Sequence, residues 1–136
     1  MENMIRVDIM NRKEYKIFEI GMFKKEGENS YLEIYDEFLG GMDGLTKNSK
    51  ILVFLWFDGS DNETKRKTLK VHPRGNINNP IRGVFSTRSP MRPNPIALYT
   101  VKIEEISGNK LYIEEIDAFS ETPIIDIKRY SKELDL

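Results

Sequence analysis

The amino-acid sequence predicts an all-β fold, a small closed or partly closed β-barrel with short helical turns. Three observations carry that expectation. Apolar residues alternate at period two in several short segments. Turn-forming residues recur between those segments at close spacing, as in small barrels and sandwiches. No segment sustains a 3.6-residue apolar period, and no internal repeat or low-complexity tract interrupts the pattern. A length of 136 residues fits one domain over 1–136.

The elements follow in chain order. Phe18, Ile20 and Met22 alternate with Glu19 and Gly21, which predicts a half-buried first strand. Glu26-Gly27-Glu28-Asn29 reads as a hairpin turn into a second alternating segment, Tyr31 to Tyr35. Asp36 to Leu45 holds three glycines and has room for only a short helical turn. Ile51 to Phe57 is apolar on both faces, so it is expected to be a central strand covered on both sides. Tyr99, Val101 and Ile103 alternate with polar residues, as do Leu111 and Ile113, and Ser107-Gly108-Asn109-Lys110 joins the two as a tight hairpin. Trp56 and the tyrosines read as core, and Asp126 as a structural residue alternating out of an apolar strand.

Composition excludes several chemistries. With no cysteine there is no disulfide scaffold, thiol nucleophile or thiolate metal site, and the single histidine, His72, cannot build a multi-histidine metal centre. The longest apolar run, Ile51 to Phe57, is far shorter than the roughly 18 residues of a membrane span. The N-terminal stretch is polar and mixed in charge, unlike a secretory signal, which predicts a cytoplasmic protein that does not engage membranes.

Charge is distributed unevenly. Lys65, Arg66, Lys67, Lys70, Arg74, Arg82, Arg88 and Arg92 fall in a stretch without Asp or Glu, while the rest of the chain holds 13 basic and 22 acidic residues, a net charge of −9. A basic tract on an acidic body orients a polyanion; the alternative is a solvated loop paired with acidic neighbours. Five of the six prolines lie between Pro73 and Pro95, which demands a stiff loop rather than a central strand. From Arg88 to Pro95 the residues between prolines include two guanidiniums, a hydroxyl and an amide, the groups that grip carboxylates, phosphates and nucleoside edges. The competing reading is a rigid corner whose arginines cap strand ends. Phe85 and Tyr99 flank the loop as candidate stacking partners. His72 suits a hydrogen-bonding or packing role, with proton acceptance as the alternative.

The run Arg82-Gly83-Val84-Phe85-Ser86-Thr87-Arg88-Ser89-Pro90-Met91-Arg92-Pro93-Asn94-Pro95-Ile96 resembles the signature of the TsaA-like family, also called the TrmO or YaeB-like family. The resemblance extends upstream through Val71-His72-Pro73-Arg74-Gly75 and Trp56-Phe57. Downstream it takes in Asp117 and Thr122 to Lys128, covering residues 31–130 in order. It implies a β-barrel that binds S-adenosylmethionine, forms homodimers, and methylates the 6-amino nitrogen of threonylcarbamoyladenosine at position 37 of tRNA.

By the same resemblance, Phe57, Asp58, Arg88, Leu98, Ser120, Glu121, Thr122 and Pro123 would hold the cofactor. Lys65, Arg66, Lys67, Lys70, Arg74 and Arg92 are expected to contact RNA phosphates. Neither a catalytic base nor a metal ligand is assigned. The chain departs from the family pattern where Asp58 replaces a histidine and Ser120-Glu121 replaces Asp-Gly. It also lacks the N-terminal loop with Ser-Pro-Phe and Pro-x-Gln that touches the cofactor, and by the resemblance the C-terminal extension domain of some longer members is not expected. The alternative is therefore a non-catalytic barrel that binds S-adenosylmethionine or RNA and has lost that loop. A methyltransferase for a small neutral metabolite is disfavoured, because such an acceptor needs no basic tract.

Overall fold

The computed structural model describes residues 12–135; the polar N-terminal stretch, whose sequence is unlike a secretory signal, lies over 1–11, outside the described residues. The described residues form eight strands: β1 (Gly21–Glu26), β2 (Asn29–Ile34), β3 (Lys50–Trp56), β4 (Lys70–Val71), β5 (Arg82–Gly83), β6 (Ile96–Ser107), β7 (Lys110–Ile113) and β8 (Thr122–Arg129). Six of them close an antiparallel barrel in the order β1-β2-β7-β6-β3-β8, with β8 returning to β1. β4 and β5 form a separate two-stranded ribbon. Closure leaves those six strands without a free edge. Among the described residues no helix is long and apolar enough to cross a membrane.

The interior is filled by one residue in two from each long strand. Phe23, Leu32, Ile51, Val53, Leu55, Ile103, Leu111 and Ile124 have no exposed surface. The expected hairpins are present: Gly27 supplies a positive φ of 61° between β1 and β2, and Gly108 one of 60° between β6 and β7. Asp36–Met42 is a 3-10 turn, as the glycines there required. The β8 strand carries an extra residue, Ile125, opposite the Phe54/Leu55 step of β3. This bulge bends β8 close to its N-terminal end.

Three sequence-based expectations are corrected. The first strand begins at Gly21, not Phe18, and its inward parity is set by Gly21 and Phe23, leaving Met22 on the outer side. Phe18 is 69% exposed. The cause is a close approach: a Cβ on Gly21 would run into the carbonyl oxygen of Glu33, so only glycine holds that inward position against β2. Second, β3 is covered on one face, not two. Ile51, Val53 and Leu55 are interior, while Leu52, Phe54 and Trp56 lie half-buried on the outer surface, because a barrel strand has a single inside. Third, Trp56 is not core. Its indole N–H donates to Asp61 Oδ2 at 3.2 Å, and the Arg66 guanidinium lies 5.5 Å from its ring centroid.

Tyr31 is buried beneath Tyr112, whose ring centroid is 5.4 Å away. Its hydroxyl donates to Glu26 Oε1 at 2.6 Å. That hydrogen bond, and secondarily burial, pushes the phenol from 10.0 up to about 12. A folded value above the unfolded one stabilises the fold fully below pH 10, and the contribution is lost as pH rises through about 12. Tyr31→Phe is expected to flatten the alkaline loss of stability across that window, read as urea midpoint against pH. Gly21→Ala should lower stability by about 2 kcal/mol in the same unfolding assay, since backbone, not a yielding side chain, blocks the added methyl.

Candidate functional site

Between β3 and β6 the chain leaves the barrel at Phe57 and returns at Pro95. The Phe57 N–H donates to the Pro95 carbonyl at 2.8 Å, closing the base of the excursion beside the Trp56–Ile96 ladder pair. It opens with a 3-10 turn over Asp58–Ser60 and then the single-turn helix α1 (Glu63–Arg66), where the Asn62 side chain accepts from the Lys65 N–H at 2.9 Å. The β4–β5 ribbon follows, and then the proline-rich run. Val84 is buried beneath that run, with its N–H on the Leu69 carbonyl at 2.9 Å.

Two arginines expected on RNA phosphates are instead committed to this loop. Arg66 Nε donates to the Pro93 carbonyl at 2.7 Å, while its other nitrogens reach Asp61 at 3.1 Å and Asn94 at 2.9 Å. Arg92 donates to three carbonyls, those of Ser89 (2.9 Å), Val84 (3.1 Å) and Thr87 (3.3 Å). The physical reason is donor supply, since prolines remove backbone N–H groups and leave carbonyls to be satisfied by side chains. Lys67 pairs with Glu63 at 2.6 Å along α1. Lys70 and Arg74 are exposed on and just after β4. Lys65 Nζ reaches the Gly59 carbonyl at 3.2 Å.

The opposite wall is the turn leading into β8. The Glu121 N–H donates to the Phe23 carbonyl at 2.7 Å, the Ser120 hydroxyl accepts from the Lys25 N–H at 2.9 Å, and the Thr122 hydroxyl donates to the Phe119 carbonyl at 2.6 Å. Glu121 sits at φ 70°, in the left-handed region. The glycine that the family resemblance places there would adopt this backbone without strain.

The two walls face each other across a cleft of about 1300 Å³ at the mouth of the barrel. From the end of β3 come Phe57 and Asp58, from the proline-rich loop Arg88, from β6 Leu98, and from the β8 turn Ser120, Glu121 and Thr122. Pro123 is not in the lining, and of the basic residues only Lys65, Arg88 and Arg92 reach it. Arg88 makes no hydrogen bond or ion pair with any other described residue, so its guanidinium is available to a ligand.

Sequence reasoning named Phe85 and Tyr99 as stacking candidates but missed Phe119 and the pairing of Tyr99 with Asp117. The Tyr99 hydroxyl donates to Asp117 Oδ1 at 2.6 Å inside the cleft. Burial first, and then this bond, raise the phenol well above its ordinary range, keeping it a neutral donor. Phe119 is 86% exposed at the rim and faces the same space as Phe85, which is 80% exposed. Its only sequence signal is an aromatic residue within a polar turn. None of the lining comes from the β1–β2 connection, which is the two-residue turn Gly27-Glu28. The cleft is built without a loop at that place. Its chemistry is an apolar wall with two exposed rings, carboxylates from Asp58, Asp117 and Glu121, and one uncommitted guanidinium. That set suits a flat heterocycle attached to both cationic and anionic groups.

The division between committed and available arginines has a measurable consequence. Arg92→Lys is expected to lower unfolding free energy by about 1–2 kcal/mol, since an ammonium cannot hold three divergent carbonyls. Arg88→Lys should stay within about 0.5 kcal/mol of the parent protein. Urea denaturation of both variants tests the contrast.

The chain is similar to known proteins in both sequence and fold. The family model of the tRNA-methyltransferase O N-terminal domain matches residues 21–136. A Methanocaldococcus jannaschii protein, named "Probable S-adenosyl-L-methionine-binding protein", is 55% identical over 121 residues, covering 89% of this chain and 96% of that protein. A human tRNA (adenine(37)-N6)-methyltransferase is 47% identical over 66 residues, 48% of this chain and 15% of its own length. A crystal structure of TrmO from Pseudomonas aeruginosa superposes with a TM-score of 0.67 at 22% identity, which shows a shared fold. The match covers 90% of this chain and 59% of that one, so the chain spans under two-thirds of the solved protein's length.

Proposed function

We propose, from the premise that this chain belongs to the tRNA-methyltransferase O N-terminal domain family, that it is an S-adenosylmethionine-dependent tRNA methyltransferase. Its proposed acceptor is the 6-amino nitrogen of threonylcarbamoyladenosine at position 37. The observation that carries the reading is convergence: Phe57, Asp58, Arg88, Leu98 and the Ser120–Thr122 turn come from four separate parts of the chain and line one cleft.

Within that cleft, Arg88 is suited to grip the cofactor's carboxylate. Phe57, Leu98 and Phe119 would cover its adenine, and Asp58 would accept from its ribose or amino group. Asp58, Asp117 and Glu121 together offset a sulfonium charge. Bound there, S-adenosylmethionine supplies an electrophilic methyl group. The chain's contribution is positioning and electrostatics, which suits a site with no triad and no paired histidines. Lys65, Lys70 and Arg74 remain as phosphate contacts. The exposed apolar rim of Phe85, Phe119, Ile96 and Leu98 supports a homodimer in which a second copy covers part of the cleft mouth. A tRNA acceptor also supports a cytoplasmic setting.

One observation favours a second reading. The tight β1–β2 turn leaves no loop to close over a cofactor from that side, which suits a barrel that binds S-adenosylmethionine without transferring its methyl group. Two measurements separate the readings. Calorimetry with S-adenosylhomocysteine should give one site per chain, and Arg88→Ala should weaken it by about ten- to a hundredfold, the worth of a charge-assisted contact. Nucleoside mass spectrometry after incubation with S-adenosylmethionine and tRNA carrying threonylcarbamoyladenosine should then show a methylated product. Binding without product selects the second reading, and no binding removes both.

A further inference from the structure

The proline-rich loop has two sides, and only one of them is the cleft. On the other lies a separate groove of about 440 Å³, lined by Val71, His72, Arg74, Ser89 and Met91. Thr87, Arg88 and Pro90 belong to both cavities and form the wall between them. Arg92 fixes that wall through its bonds to the Thr87 and Ser89 carbonyls.

The two cavities differ in charge. The cleft sets three carboxylates against Lys65, Arg88 and Arg92, whereas the groove is lined by two guanidiniums, Arg74 and Arg88, and no carboxylate. The cleft suits a ligand bearing groups of both signs, and the groove an anionic chain. The groove also contains the chain's only imidazole. His72 Nδ1 lies 2.8 Å from the Asn79 carbonyl oxygen, which can only accept, so Nδ1 carries the proton and the neutral ring's lone pair is on Nε2. Asn79 is itself held, its side-chain amide donating to the Pro73 carbonyl at 2.7 Å. The imidazole is therefore oriented as an acceptor in a cavity whose other polar groups are cationic or hydroxyl, beside the apolar Val71 and Met91.

We propose that this groove is a nucleotide subsite for the RNA acceptor. It takes the nucleotide adjacent to the reacting one, with a flanking phosphate on Arg74, the base against Val71 and Met91, and an N–H or hydroxyl of that nucleotide donating to His72 Nε2. The assignment rests on the methyltransferase reading, because the shared wall makes sense when the reacting base crosses it into the cleft. Its substrate class is unstacked single-stranded RNA, whose bases lie free to enter a groove.

The test uses the full chain, an anticodon stem-loop RNA, and S-adenosylhomocysteine as an independent probe of the cleft. Arg74 is at φ 60°, so Arg74→Gly removes the charge while relaxing the backbone and is expected not to lower the melting temperature. It should weaken RNA binding and reduce the slope of log affinity against log salt by about one. Met91→Glu places a carboxylate in the groove and should weaken RNA binding at least about tenfold. Both variants should keep S-adenosylhomocysteine affinity within about twofold, well inside a single weak contact. RNA affinity unchanged in both variants overturns the groove while leaving the cofactor reading intact. Loss of S-adenosylhomocysteine affinity in Met91→Glu also overturns it, by making the groove part of the cleft. A parent protein that binds S-adenosylhomocysteine but no RNA removes the groove and the tRNA acceptor together.

Discussion

The proline-rich excursion has more backbone acceptors than donors, and the functional surface depends on how that imbalance is resolved. Each proline deletes an N–H and keeps a carbonyl, so an ordered loop of this composition must find donors among its side chains. A guanidinium offers five, in a rigid fork. Arg92 serves three carbonyls within the loop, and Arg66 ties Pro93 and Asn94 to α1 and to the ring of Trp56. With Phe57 and Pro95 joined at the base, the excursion becomes a fixed wall on the barrel and not a lid over it.

That wall gives Arg88 its place. The residues around it are held by Arg92, yet Arg88 itself has no partner among the described residues and lines both the cleft and the groove. One guanidinium thus sits between a cavity bearing carboxylates and one bearing none. The facing wall is held with equal economy. Three hydrogen bonds to β1 or within the turn fix Ser120 to Thr122, at the cost of a left-handed backbone at Glu121. Strain of that kind persists where surrounding contacts over-determine the geometry.

The β1–β2 hairpin gives the cleft its openness. A two-residue turn packs Lys25 against Ser120, so β1 supports the β8 turn through its backbone while adding no side chain to the lining. Tyr99 and Asp117 compensate in part by placing a neutral donor and a carboxylate, bonded to each other, on the cleft floor.

Period-two alternation, with the apolar run from Ile51 to Phe57, made most of the barrel strands and the all-β class legible, because alternation along a strand is a local property. The motif from Arg82 to Ile96 likewise pointed to the loop that walls the cleft. Tertiary structure alone decided three things. It set the parity of β1, through the contact between Gly21 and the Glu33 carbonyl. It exposed one face of β3, since a barrel has a single interior and apolar composition does not reveal on which side neighbours are missing. It also separated the arginines into structural and available ones. Arg66, Arg88 and Arg92 are indistinguishable by composition, and only the positions of unpaired carbonyls, set by contacts distant in sequence, determine which guanidinium is left for a ligand.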